Sequence, residues 1–234
     1  MVELSLIIPA HNEARRISES LKHYLKFISD KDEIIVVCNG CSDNSFEIVN
    51  GFAKKNKNLK AIDIKERIGK GASVIKGFKI AKGKFLGFMD ADNAFDLNYI
   101  KKMINELKRD DSDVIIASKW KGSSFFKVSE NYIRKILAIG WNLLVRSLLG
   151  MNFKDTQAGA KFMKRKAFED IDHNFICRGF DFDVELLFKL KEKGFKIKEV
   201  YVPSKKEKFS TFHLRYIPGM FFDLVKLSRR RFNL

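Results

Sequence analysis

The sequence predicts a doubly wound α/β fold, a mostly parallel sheet followed by a C-terminal amphipathic helical region. Three observations lead there. Short apolar runs alternate with segments of helical periodicity through the first half of the chain. Phe85 to Met89 is apolar on both parities, as a central parallel strand covered on both faces requires. That run stops abruptly at Asp90-Ala91-Asp92-Asn93, and the carboxyl end of such a strand is where open α/β sheets bind ligands.

Taken in order, Leu4 to Pro9 reads as a first strand stopped by proline. Asn12-Glu13 then open a helix with apolar positions Ile17, Leu21, Leu25 and Ile28. Glu33 to Cys38 is the second strand, broken by Asn39-Gly40, and Ser42 to Ser45 cap a helix through Phe46, Ile48, Val49 and Phe52. Leu59 to Ile64 forms a third strand, Ala72 to Ala81 a helix, and Phe85 to Met89 the fourth strand. Val114 to Lys119 is a further strand. After Gly122-Ser123-Ser124 comes a long helix from about Tyr132 to Leu149, apolar all round, with Arg134, Lys135 and Arg146 marking its ends. It suits a core helix, yet Trp141 with flanking bases also suits a helix lying in a membrane interface. Phe180 to Phe188 opens a helix that Gly194 closes.

Composition bounds the partners. Lys and Arg outnumber Asp and Glu by 45 to 29, a formal charge of +16, which calls for a polyanion: nucleic acid, an anionic membrane or a phosphorylated substrate. Eight basic residues against two acids fall in the last thirty positions, Lys205 to Leu234. There Tyr216, Ile217, Met220, Phe221, Leu224, Val225 and Leu227 add a helical apolar pattern, the signature of a segment lying on anionic lipid. No nucleic-acid recognition motif is legible, so no nucleic-acid partner is expected. Three cysteines suit a reducing compartment, and Cys38-Asn39-Gly40-Cys41 lacks the second Cys or His pair of a zinc site. The N-terminus shows no basic leader with an apolar core, and no apolar run reaches spanning length. A cytoplasmic protein peripherally associated with the membrane is expected, with a first domain over 1–204, including the interfacial helix at about 130–149, and a basic membrane-associating tail over 205–234.

Chemistry concentrates at acids. Asp90 and Asp92 form a hard-oxygen pair suited to Mg2+ or Mn2+ shared with a diphosphate; alternatively, Asp92 or Asn93 caps the next helix, from Leu97 to Leu107. Asp181, Asp183 and Glu185 are costly together unless a substrate, a metal or basic residues meet them. Gly69-Lys70-Gly71 stands before a helix, where backbone amides can approach a phosphate. No dinucleotide fingerprint follows the first strand and no P-loop is complete.

In this order the motifs resemble those of family 2 inverting glycosyltransferases, and within them the dolichyl-phosphate glucose and mannose synthases. Ile7 to Glu13 is similar to the opening motif, Ile34 to Ser45 to the second strand and helix cap, Gly69-Lys70-Gly71 to the third loop, and Asp90-Ala91-Asp92 to the D-x-D metal triplet. Asp155 to Gly159 and Phe182 to Leu187 look closer to the glucose branch. The resemblance implies a Rossmann-like fold of GT-A type. It places Pro9, His11, Glu13 and Asn39 at the nucleobase, Lys70 near the nucleotide, and Asp90 and Asp92 on the divalent ion. His11 stands where the family has Tyr, Cys38 and Asn39 where it has two acids, and Ala94 where the mannose branch has a metal-binding Gln.

The implied reaction moves a hexose from a nucleotide diphosphate sugar, UDP-glucose or GDP-mannose, to a polyprenyl or dolichyl phosphate on an anionic membrane. Asp92, Asp183 and Glu185 are the expected catalytic residues. Asp155 and Gln157 join the nucleotide-sugar side, and Lys119, Arg134 and Lys135 meet the acceptor phosphate. Two rivals remain: a family 2 transferase with a sugar or other hydroxyl acceptor, in which Asp183 is a mandatory base, and a non-enzymatic module that binds anionic lipid.

Overall fold

A computed structural model describes residues 1–109, 112–123, 132–204 and 216–232, with backbone alone at 133, 134, 231 and 232. The elements run β1 (Leu4–Ala10), α1 (Ile17–Phe27), β2 (Glu33–Asn39), α2 (Ser45–Ala53), β3 (Leu59–Ile64), α3 (Lys70–Ile80), β4 (Phe85–Met89) and α4 (Leu97–Arg109). There follow β5 (Val114–Ser118), α5 (Tyr132–Leu149), β6 (Ala160–Lys164), α6 (Arg165–Glu169), α7 (Phe182–Glu192), β7 (Ile197–Tyr201) and α8 (Ile217–Phe232). They fall into two compact units: Met1–Asn93 with Gly159–Asp170, and Ala94–Ala158 with Ile171–Leu234.

The first unit is the expected doubly wound layer. Its strands lie in the order β3-β2-β1-β4-β6, all parallel except β6, which runs antiparallel to β4. Leu6, Ile7, Ile8 and Ile34 to Val37 are all fully buried, which is why these strands are apolar on both parities. Packing on the central strands is close. A Cβ on Gly77 of α3 would lie 2.4 Å from Ile7 Cγ2, and one on Gly87 of β4 would lie 2.1 Å from the Phe162 ring. At the amino end of β1 and β2, Glu33 accepts from Ser5 Oγ (2.7 Å), the Lys82 N–H (2.6 Å) and Lys60 Nζ (2.7 Å). Burial pushes its carboxyl pKa up, but those donors outweigh it and hold the group below the ordinary range.

In the second unit β5 and β7 pair in parallel, Val114 opposite Ile197. Helix α4 is capped by Asp96, whose side chain accepts the Asn98 N–H at 2.8 Å. The capping role the sequence allowed for Asp92 or Asn93 is therefore already filled. Helix α5 has two apolar stripes. Trp141, Val145 and Leu149 are buried, whereas Tyr132, Ile136, Ile139 and Leu143 follow one another at helical spacing on the opposite side and are exposed. Trp141 thus packs inward, contrary to the interfacial placement its composition suggested. Helix α8, which packs against α5, turns Met220, Leu224 and Leu227 inward and leaves Phe221 and Phe222 exposed. No helix among the described residues is long and apolar enough to cross a membrane. Ser124 and the basic stretch 205–215 lie outside the described residues.

Candidate active site

The carboxyl ends of β1, β2 and β4 bring the first set of candidates together. The β1–β2 register sets Ala10 opposite Cys38, so the next pair is His11 and Asn39, and His11 Nδ1 lies 2.7 Å from the Asn39 carbonyl oxygen. Asn39 is buried, and its side-chain oxygen accepts the Ile68 N–H at 2.6 Å, tying the strand end to the loop before α3. Pro9 is partly exposed, and Glu13 is buried and ion-paired with Arg16. The Cys38 and Cys41 thiols are free; Cys38 hydrogen-bonds the Cys41 sulfur and holds its pKa down to about 6, despite burial.

Gly69 has φ of 94°, a conformation that suits glycine, and it starts α3 at Lys70. Lys70 Nζ then reaches Asp90 Oδ1 at 2.7 Å. Asp90 leaves the end of β4 with its N–H bonded to the Gly159 carbonyl at 3.0 Å. Its carboxylate lies against Gly159, where a Cβ would come within 2.0 Å of Oδ2. Three α1 side chains reach the same turn. The Tyr24 hydroxyl donates to the Asp90 carbonyl (2.7 Å), Ser20 Oγ donates to the Ala91 carbonyl (2.6 Å), and Asn93 Nδ2 lies 2.8 Å from His23 Nδ1. Burial, then the charges of Asp92 and Asp90, push the Tyr24 hydroxyl pKa well above its ordinary value, which puts both carboxylates near that phenol.

This donor set fits a divalent hard cation. Two carboxylates separated by one small residue stand at a strand end beside a glycine that leaves them room. Among the described residues no group of three or more His, Cys, Asp or Glu side chains forms a complete cage. An ion held there would need its remaining oxygens from water or substrate.

The second unit carries the other candidates. Asp155 is buried; its Oδ2 accepts the Lys119 N–H at 3.2 Å and its own N–H bonds Glu199 at 2.8 Å. Gln157 Nε2 donates to the Phe180 carbonyl at 3.3 Å. Lys135 is buried in α5, while the Arg134 side chain lies outside the described residues. Asp183 and Glu185 are 1% and 0% exposed. Glu185 Oε2 accepts the Cys177 N–H at 2.7 Å and Oε1 lies 3.2 Å from Lys189 Nζ. Lys189 also binds the Asp172 and Asn174 carbonyls, so Glu185 belongs to a knot that anchors the segment leading into α7.

Sequence reasoning missed Tyr24, Ser20 and His23, and met Gly159 only as the end of a motif, without its contact to Asp90. Tyr24 and Ser20 sit among the buried positions of α1, and nothing in the sequence separates a core tyrosine from one whose hydroxyl meets a strand end.

A parallel sheet whose central strand ends in paired carboxylates defines a ligand-binding α/β protein of the doubly wound class. The chain belongs to glycosyl transferase family 2, whose pattern matches residues 5–172. It is 28% identical to a dolichyl-phosphate beta-glucosyltransferase of Dictyostelium discoideum over 86% of this chain, and spans 66% of that protein's length. It is 30% identical to a dolichyl-phosphate beta-glucosyltransferase of Trichomonas vaginalis, covering 97% of this chain and 73% of that one. Among solved structures, the glucosyl-3-phosphoglycerate synthase of Mycobacterium tuberculosis, in complex with Mn2+, uridine diphosphate and phosphoglyceric acid, superposes with a TM-score of 0.73. That match is 15% identical and covers 97% of this chain and 78% of the other. The fold is the expected GT-A type.

Proposed function

We propose that this chain transfers a hexose, glucose in the first instance, from a nucleotide diphosphate sugar to a polyprenyl or dolichyl phosphate, with inversion. The reaction is placed at the cytoplasmic face of a membrane with which the protein associates peripherally. The observation that carries this reading is the strand-end pair Asp90 and Asp92 with Lys70 bonded to Asp90, in a family 2 chain whose relatives are named for that activity. Mg2+ or Mn2+ held by Asp90 and Asp92 supplies positive charge for the departing diphosphate. Lys70 adds a second positive charge at Asp90 Oδ1. Pro9, His11, Glu13 and Asn39 border the nucleobase, and Asp155 and Gln157 orient the sugar.

A lipid phosphate is already anionic at neutral pH, so placement and charge neutralisation matter more than a base. Lys119, Arg134 and Lys135 serve that phosphate. Asp183 lines the acceptor side, and Glu185, fully enclosed, acts by holding the start of α7 in place through Cys177 and Lys189.

The test incubates the protein with radiolabelled UDP-glucose, GDP-mannose or UDP-N-acetylglucosamine, polyprenyl phosphate and Mn2+, and counts label entering the organic phase. UDP-glucose should label the lipid, and Asp92→Ala should lower that rate about 10²- to 10³-fold while the protein stays folded. Label that reaches water-soluble hydroxyl acceptors and never the lipid would replace this reading with its rival.

A further inference from the structure

The turn from Asp90 to Asn93 is gripped by one face of α1. Ser20, His23 and Tyr24 are spaced three and four residues apart, so they project from α1 on one side. Each engages a different part of the turn: Ser20 the Ala91 carbonyl, His23 the Asn93 side chain, Tyr24 the Asp90 carbonyl. Asn93 itself has φ of 54°, a left-handed conformation that asparagine adopts more readily than most residues and that closes the turn.

Buried main-chain groups must find partners, and here several find side chains of a helix. The pose of the turn therefore depends on those side chains. That pose decides how Asp90 and Asp92 stand to one another. Two like charges one residue apart repel, and a loosely held turn relieves the repulsion by letting them diverge. A cation that needs both carboxylates then has to pull them together at the cost of its own binding energy.

We propose that Tyr24, flanked by Ser20 and His23, is the positioning residue of the Asp90-Ala91-Asp92 turn, so that α1 sets the affinity for a divalent cation bound with a nucleoside diphosphate. The assignment rests on the metal reading of that pair. Tyr24 touches the main chain of the turn and acts on the ion through it. In metal sites, removing a partner that orients the ligands typically costs about 10- to 100-fold in affinity.

Tyr24→Phe removes one oxygen and keeps the ring that fills the core. Titration with Mn2+ in the presence of UDP, read by loss of the free-Mn2+ electron paramagnetic resonance signal, should give a Kd raised about 10- to 100-fold with unchanged stoichiometry. Ser20→Ala should move the Kd the same way by less. In the transfer assay the KM for lipid phosphate should stay at the parent value. Parent-like Mn2+ affinity in folded Tyr24→Phe overturns the proposal. So does a KM for lipid phosphate that rises in step with the Mn2+ Kd, since general loosening would do that. A parent protein that takes up no Mn2+ with UDP sinks the metal reading itself, an outcome separate from failure of the α1 grip.

Discussion

At Asp90 the two carboxylate oxygens meet different neighbours: Oδ1 pairs with Lys70, while Oδ2 lies where a side chain at position 159 would stand. Glycine there is a requirement of space, since the added carbon would come 2.0 Å from Oδ2 and 2.5 Å from Cγ. The Asp90 side chain is partly exposed, so its cheapest escape is rotation toward solvent, which breaks the Lys70 pair and spoils the cation site. Gly159→Ala should accordingly weaken Mn2+ binding with UDP by about 10-fold or more, and leave the melting temperature close to the parent's. A large fall in melting temperature with intact Mn2+ affinity would show that position 159 serves packing and not the site. At this scale the acids were legible, because an apolar strand that ends in two carboxylates is written in consecutive letters. Gly159 was visible as part of a motif, but its purpose was not. The reason for a glycine lies in a partner sixty-nine positions away along the chain, brought close by the antiparallel pairing of β4 with β6.

Helix α7 begins with a buried acid facing another helix. Asp181 is removed from solvent, and that burial, with the charge of Asp223 on α8 next in weight, raises its carboxyl pKa to about 6. An unfolded aspartate titrates near pH 3.9. Between about pH 4 and 6 the folded chain holds a proton that the unfolded chain has lost, so stability falls as pH rises, and above 6 the ionised group is a standing cost. Asp181→Asn keeps a short polar residue at the start of α7 and removes the charge. It should be more stable than the parent by about 1–2 kcal/mol at pH 7.5, and nearly equal at pH 4, in denaturant titrations. An identical difference at both pH values would remove the carboxyl from the explanation. The elements themselves were unevenly legible. Strands β1, β2, β4 and β5 and helix α5 announce themselves by apolar runs of the right length, and β3 (Leu59–Ile64) by its place between two helical patterns, but β6 and β7 do not. Ala160–Lys164 and Ile197–Tyr201 each interleave lysine with apolar residues over five positions, too short to stand out from loop. Helix α1 is legible, and its apolar positions mark its inward side only in part. Of the apolar positions Ile17, Leu21, Leu25 and Ile28, the first two are buried and the last two half-buried, while Ser20 and Tyr24 are buried beside them. The serine and the tyrosine escape a search for aliphatic residues, yet both are buried with their hydroxyls bonded to carbonyls.

For the molecule as a whole, a net charge of +16 and an outward apolar stripe ask for the same partner. Tyr132 and Leu143 on α5 are 65% and 61% exposed, Phe222 on α8 is 64% exposed, and Arg146, Lys226, Arg229 and Arg230 on the same two helices are exposed as well. Apolar side chains of this size gain about 1.5–3 kcal/mol each when fully removed from water, and each basic residue at an anionic surface adds about 1 kcal/mol. Soluble proteins leave such rows open mainly where something covers them. A nucleic acid would use the bases and leave the stripe wet, whereas the anionic bilayer proposed above would use both. The sequence made the charge and the helices legible, but it could not separate the inward stripe of α5 from the outward one, because both are written in leucine and isoleucine. Ile136→Glu with Leu143→Glu should therefore abolish cosedimentation with phosphatidylserine-containing liposomes at every salt concentration. Replacing Lys226, Arg229 and Arg230 by alanine should weaken binding at about 0.1 M salt but change little at 1 M, where screening has already removed the electrostatic share. Unchanged sedimentation of the double glutamate variant would mean that the stripe does not enter the bilayer, leaving charge alone to hold the protein there.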